Sequence, residues 1–125
     1  MSITYGAIVA AWQTLHDLAA SPKTAALPTE RWLQLYRLHR AAQPIVETVT
    51  ERQNRLVAYY SGGANSIDQN NEHWEEFRRE LEALYATPAD VAPLTLSISE
   101  LHQLGLTPAQ ASLLVYTGLF IEERG

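Results

Sequence analysis

The chain has no cysteine, one lysine (Lys23) and no long apolar run. Without cysteine there are neither disulfides nor thiolate metal sites, so packing alone must hold the fold. No segment approaches the ~20 apolar residues that a membrane-spanning helix needs, so no membrane association is expected. The N-terminus lacks the basic flank and apolar core of a secretory signal, so signal-directed export is not expected either. Catalytic signatures are also missing. There is no GxSxG, no Walker-type loop and no HExxH, and Gly62-Gly63 lacks the strand, lysine and Ser/Thr of a phosphate cradle. The carboxylates of Glu75-Glu76 and Glu122-Glu123 are adjacent in sequence and therefore do not face one another. His16, His39, His73 and His102 fall in four segments, with no two at i,i+3 or i,i+4, which is not metal-ligand spacing. The expectation is a protein without catalytic residues, cofactor or metal.

What is present fits one soluble domain. The 125 residues are 46% hydrophobic and 18% charged, enough apolar surface for one core and too much for wholesale disorder. A net charge of −5 argues against a nonspecific nucleic-acid binder, which gathers a basic face. The basic residues are lopsided: eight arginines against one lysine, with Arg31, Arg37, Arg40, Arg52 and Arg55 in one stretch. Two readings fit: a solvated helix face with local pairs such as Glu51–Arg55, or a surface for an acidic partner.

Between Leu35 and Tyr59 runs a heptad stripe of Leu35, Leu38, Ala42, Ile45, Val49, Arg52, Leu56 and Tyr59. Steps of three and four place these side chains along one seam of a long helix. That helix is predicted from an N-cap at Thr29 to about Tyr60. Pro44 lies inside it, where the lost i→i−4 bond predicts a kink and not a break, because the heptad phase continues across it. A first helix is predicted over Tyr5–Ala20, capped by Thr4, with Ile8, Ala11, Trp12, Leu15 and Leu18 on its apolar face. Ser61-Gly62-Gly63 ends the long helix, and Ala64–Asn71 reads as a polar loop. Asn70 or Asn71 then caps a third helix, Glu72–Tyr85, with Trp74, Phe77, Leu81 and Leu84 facing inward.

The last third changes period. Leu94, Leu96 and Ile98 alternate with Thr95 and Ser97, the pattern of a short half-buried strand. Ser97 with Glu100 forms a capping box for a helix over Ser99–Leu104. Thr107-Pro108 opens another over Ala109–Tyr116, and Leu119–Ile121 is a second strand that pairs with the first if helices support it. The predicted class is mainly α (α+β). A three-helix antiparallel bundle with one long kinked helix (1–87) carries a small C-terminal subdomain with two short strands (88–125).

Three helices of unequal length are expected to leave part of the longest one uncovered. Trp32 and Tyr36 form an i,i+4 pair on a flank of the seam, and Val46 and Val57 lie further along. Exposed aromatic and apolar surface of this kind marks a protein contact. The alternative is that the long helix buries itself. The predicted contact residues are Trp32, Tyr36, Val46, Arg52 and Val57, together with the loop Ala64–Asn71.

The order of features, with Trp74-Glu75-Glu76-Phe77, Pro93-Leu94-Thr95-Leu96-Ser97, Leu106-Thr107-Pro108-Ala109 and Phe120-Ile121-Glu122-Glu123, resembles a family of small uncharacterised proteins of tailed bacteriophages and prophages. The similarity covers nearly the whole chain, and its best motif, the tail from Leu94 to Glu123, is a packing signature without chemistry. The resemblance implies non-enzymatic work in the host cytoplasm or the virion. One form is a structural or assembly component packing through its long helix against copies of itself or another phage protein. The alternative is an inhibitor that binds a host protein such as an anti-phage defence enzyme.

Overall fold

A computed structural model describes residues 3–122. Helix α1 spans Tyr5–Ala20, and the Thr4 side chain accepts the Ala7 N–H at its start, as predicted. The connector that follows is more regular than expected. Pro22–Ala26 form a 3-10 turn capped by Ser21, and the buried Thr24 donates its hydroxyl to the Ser21 carbonyl at 2.7 Å.

Helix α2 runs over Thr29–Ser61, 33 residues without interruption at Pro44. Pro44 removes a hydrogen bond, but Ala42 and Val49 on either side of it are buried, and packing along the seam keeps the helix continuous. Pro28, not Thr29, occupies the cap position, without a side-chain cap bond; its carbonyl accepts from the Trp32 N–H at 3.0 Å. At the other end Gly62 takes φ +73° and Gly63 N–H bonds to the Ala58 carbonyl at 2.8 Å, a left-handed exit that glycine adopts without strain.

Helix α3 spans Trp74–Tyr85, two residues shorter than expected at its start. Asn71 caps no helix directly. Its side chain accepts the His73 N–H at 2.7 Å, while its carbonyl accepts from Trp74 N–H at 3.1 Å, so a turn precedes the helix.

Both α1 and α3 run antiparallel to α2. His16 faces His39 at 3.1 Å, and the N-terminal end of α1 meets the end of α3, where Tyr5 N–H bonds to the Thr87 carbonyl and Ala89 N–H to the Ile3 carbonyl. Tyr85 donates to Gln53 Oε1 at 2.9 Å, and Phe77 packs near Tyr60. The two shorter helices thus lie in tandem along α2. Their junction needs Gly6: a Cβ there would stand 3.1 Å from both Cβ and carbonyl oxygen of Tyr85.

The C-terminal part is built on the helices and not beside them. Strands β1 (Leu94–Leu96) and β2 (Phe120–Glu122) pair in parallel, Leu94 opposite Phe120 and Leu96 opposite Glu122. Parallel pairing needs a crossover, supplied by α4 (Ile98–Gln103) and α5 (Pro108–Tyr116). Both crossover helices carry complete capping boxes, Ser97 with Glu100 and Thr107 with Gln110. Ile98, expected in the strand, opens α4, because the Ser97 cap ends the extended segment. Leu94, Leu96, Leu104, Leu114, Leu119 and Phe120 join Ile8, Leu15, Leu35 and Leu38 in one apolar cluster. Val49, Leu56 and Phe77 are buried outside that cluster, a second layer between distal α2 and α3. Polar ties complete the assembly. Gln34 on α2 accepts the Thr95 N–H at 3.2 Å, and Arg31 on α2 stands 3.7 Å from Glu100 on α4. Among the described residues no buried side-chain nitrogen or oxygen lacks a hydrogen-bond partner, and no helix is long and apolar enough to cross a membrane.

Candidate interaction face and the histidine pair

The heptad seam of α2 is consumed by the fold. Leu35, Leu38, Ala42, Val49 and Leu56 are buried and Ile45 packs against the cluster. Only Arg52 and the terminal Tyr59, 78% exposed, stay outside. The expected uncovered ridge is therefore covered by the chain itself, because α1 and α3 divide the length of α2 between them.

The flank of the seam remains in solvent. At 100° per residue, Trp32, Tyr36, Gln43, Val46, Thr50 and Asn54 fall on one side of α2, about a third of a turn from the buried stripe. Trp32 and Tyr36 are 41% and 42% exposed. Their rings stack at 5.3 Å between centroids and 12° between planes. Arg40, one turn on, donates to the Tyr36 hydroxyl at 2.8 Å. Its carbon Cζ is 5.6 Å from the ring centroid, which places the guanidinium at the hydroxyl end, so the hydrogen bond and not a cation–π contact fixes it. The stack and the hydrogen bond join Trp32, Tyr36 and Arg40 into one row along successive turns of the helix.

The other predicted contact residues divide. Val46 is half-buried and packs against the core, and Val57 is half-buried too, so both contribute to the fold before any contact. Arg52 is exposed but faces Glu80 of α3 at 3.8 Å, a surface pair of small energetic weight. Beyond Val46, an open strip including Glu47, Thr50, Asn54 and Ala58 continues the flank toward the end of α2. The loop Ala64–Asn71 is exposed apart from Ile67 and Asn71. It is pinned by short-range bonds, Ser61 Oγ to the Ala64 carbonyl and Asn70 N–H to Asp68 Oδ1. It does not adjoin Trp32 and Tyr36, which lie at the opposite end of α2.

One cluster was not legible in the sequence. Beside Trp32 and Tyr36 a groove of ≈ 260 Å³ opens between α1 and α2, with Ala19 and Ala20 on one wall, Leu35 at its base and His16 and His39 at its end. His16 Nδ1 and His39 Nε2 are 3.1 Å apart. Their ring centroids are 5.3 Å apart and their planes 24° apart, close to the widest separation that such a contact allows between two imidazoles. The two nitrogens therefore point at each other in a head-on N–H···N bond. Trp12 adjoins both rings, stacked on His39 at 5.1 Å and tilted against His16 at 5.4 Å. Burial, and after it the neighbouring His16, hold His39 below the ordinary histidine range.

His73 lies elsewhere, between Glu72 and Glu76 at the start of α3. Among the described residues no three His, Asp or Glu side chains are grouped to hold a metal ion. Glu123 of the Glu122-Glu123 pair lies outside the described residues. No protein-family model, curated protein or solved structure matches this chain.

Proposed function

We propose that the protein works by binding another protein, without catalysis, and that the outer flank of α2 beginning at Trp32 and Tyr36 is the docking face. The observation that carries this reading is the stacked Trp32–Tyr36 pair, two large aromatic rings left two-fifths exposed beside a groove; Tyr59, Val115, Tyr116 and Ile121 are exposed as well but are not paired with one another beside such a groove. Aromatic residues of this kind are the usual anchors of protein contacts. From Trp32 to Ala58 the flank runs for about 40 Å, long enough for a helix of another chain to lie along it. The resemblance to small phage proteins favours an assembly role, with copies of this chain or a neighbouring virion protein as the occupant.

Sedimentation equilibrium of the purified chain, alone and with Trp32→Ala/Tyr36→Ala, tests the self-packing form. The wild type is expected to associate reversibly and the double variant to remain a folded monomer by circular dichroism. A wild-type chain that stays monomeric at every concentration refutes packing against itself. Absence of the chain from purified particles by mass spectrometry refutes the virion role.

A further inference from the structure

We propose that His16 and His39 form a protonation-sensitive latch between α1 and α2, closed while the pair holds no more than one extra proton and open when both rings are charged. The pair is a polar contact at the solvent edge of a helix contact whose buried residues, Leu15 and Leu18 of α1 and Leu35 and Leu38 of α2 among them, are apolar. Each ring comes from a different helix, the nitrogens meet head-on at 3.1 Å, and Trp12 holds both rings in place.

A head-on N···N contact requires one donor and one acceptor. A neutral histidine has one of each and a charged histidine has only donors. With both rings neutral, His16 Nδ1–H can donate to His39 Nε2. One added proton on either ring still leaves an acceptor on the other. With two added protons, two N–H groups of like charge confront one another and the bond is replaced by repulsion. Burial disfavours charge on His39 first, so the acceptor role falls to the inner ring. The flanking charged side chains are otherwise engaged: Asp17 on α1 accepts from Gln13 Nε2 at 2.9 Å, and Arg40 on α2 donates to Tyr36. Apart from the two histidines and Tyr36, no residue lining the groove is titratable.

The sign follows. A histidine held below its ordinary range contributes stability that is present above that range and is lost as pH falls through its folded value. The latch is therefore closed at neutral pH and released by acid. Release frees the end wall of the groove beside Trp32.

The test is a titration of the full chain by nuclear magnetic resonance, following the four imidazoles, the Trp12 indole and backbone amide exchange. His39 is expected to take up its proton below the ordinary histidine range, with the Trp12 indole shifting in step. Amide protection in the contact segments of α1 and α2 around His16 and His39, referred to the intrinsic exchange rate at each pH, should then fall at least tenfold, while protection in α5 is unchanged. His16→Gln is the second measurement. Glutamine both donates and accepts and carries no charge, and position 16 is exposed, so the variant should fold. In it, His39 is expected to move back toward the ordinary range and the acid-induced loss of protection should disappear. The proposal is overturned if His39 titrates in the ordinary range with Trp12 unmoved. It is equally overturned if His16→Gln shows the same acid response as the wild type.

Discussion

Replacing Phe77 with alanine tests whether distal α2 and α3 form a layer that opens separately from the main core. Phe77 is buried, yet it lies outside the cluster that unites α1, the first half of α2 and the C-terminal part. Its ring neighbours are Trp74 at 5.7 Å and Tyr60 at 6.4 Å, both half-buried and able to close partly over a void. Phe→Ala in a core costs about 3–5 kcal/mol, depending on how far the site collapses, and a collapsible site belongs at the lower end, about 3 kcal/mol. If the layer opens on its own, that loss appears as a roughly 100-fold rise in the opening equilibrium of α3 and the last turns of α2. Native-state hydrogen exchange reads this residue by residue. Amides of Glu80–Tyr85 and of α2 beyond Gln53 should speed up, while those of α1 and β1 should hardly change. Leu15→Ala, in the fully buried main cluster, is the control and should accelerate all segments together. Uniform acceleration by Phe77→Ala would refute the separate layer. A change under about 1 kcal/mol would refute the packing itself.

Two further outcomes follow from local chemistry. Ser97→Ala removes the oxygen that accepts the Glu100 N–H at 3.2 Å, and loss of such a cap lowers stability by about 1 kcal/mol, measurable by urea unfolding with an unchanged slope. The Arg78 guanidinium, through its hydrogen bond to Glu75 and then through its charge, holds Glu75 below the usual glutamate range. The resulting support for α3 is therefore present above that range and fades as pH falls through it. In Arg78→Met the Glu75 carboxyl should titrate higher, by nuclear magnetic resonance.

The features readable from sequence were those set within a few residues. Thr4, Ser97 with Glu100, and Thr107-Pro108 announced helix starts because a cap is a contact between near neighbours. The three-four spacing of Leu35, Leu38, Ala42, Val49 and Leu56 announced the buried face for the same reason. The starts of α2 and α3 differ from what the sequence suggests: Pro28 takes the cap position expected of Thr29, and α3 begins at Trp74 and not at Glu72. At both, a turn residue (Pro28, and Asn71 ahead of His73) competes with the side-chain cap that composition suggests. Parallel pairing of Leu94–Leu96 with Phe120–Glu122 was not legible, since three-residue strands carry no directional signal. The histidine pair was hidden more deeply. His16 and His39 are 23 residues apart in sequence and meet only once the register of α1 against α2 is fixed by Ile8, Leu15, Leu35 and Leu38. Trp32 and Tyr36 were legible as a pair, because i,i+4 neighbours on a helix share a face.

The covered seam alters what the long helix is for. A helix of 33 residues is about 50 Å long, against about 24 Å for α1 and about 18 Å for α3. Neither partner could cover α2 alone, and their end-to-end placement at Gly6 and Tyr85 covers nearly all of its apolar stripe. The length of α2 thus serves the fold first, as a common spine for two shorter helices and, through Gln34 and Arg31, for the strand and helix that follow. Surface left for another molecule must then come from a flank and not from the stripe. On that flank the large apolar groups are concentrated at one end, at Trp32 and Tyr36, while Thr50 and Asn54 further along are polar. A contact made there is anchored at the N-terminal end of α2 and thins toward its C-terminal end. The histidine pair lies at the anchored end, where a change in the α1–α2 contact would be felt by a bound partner.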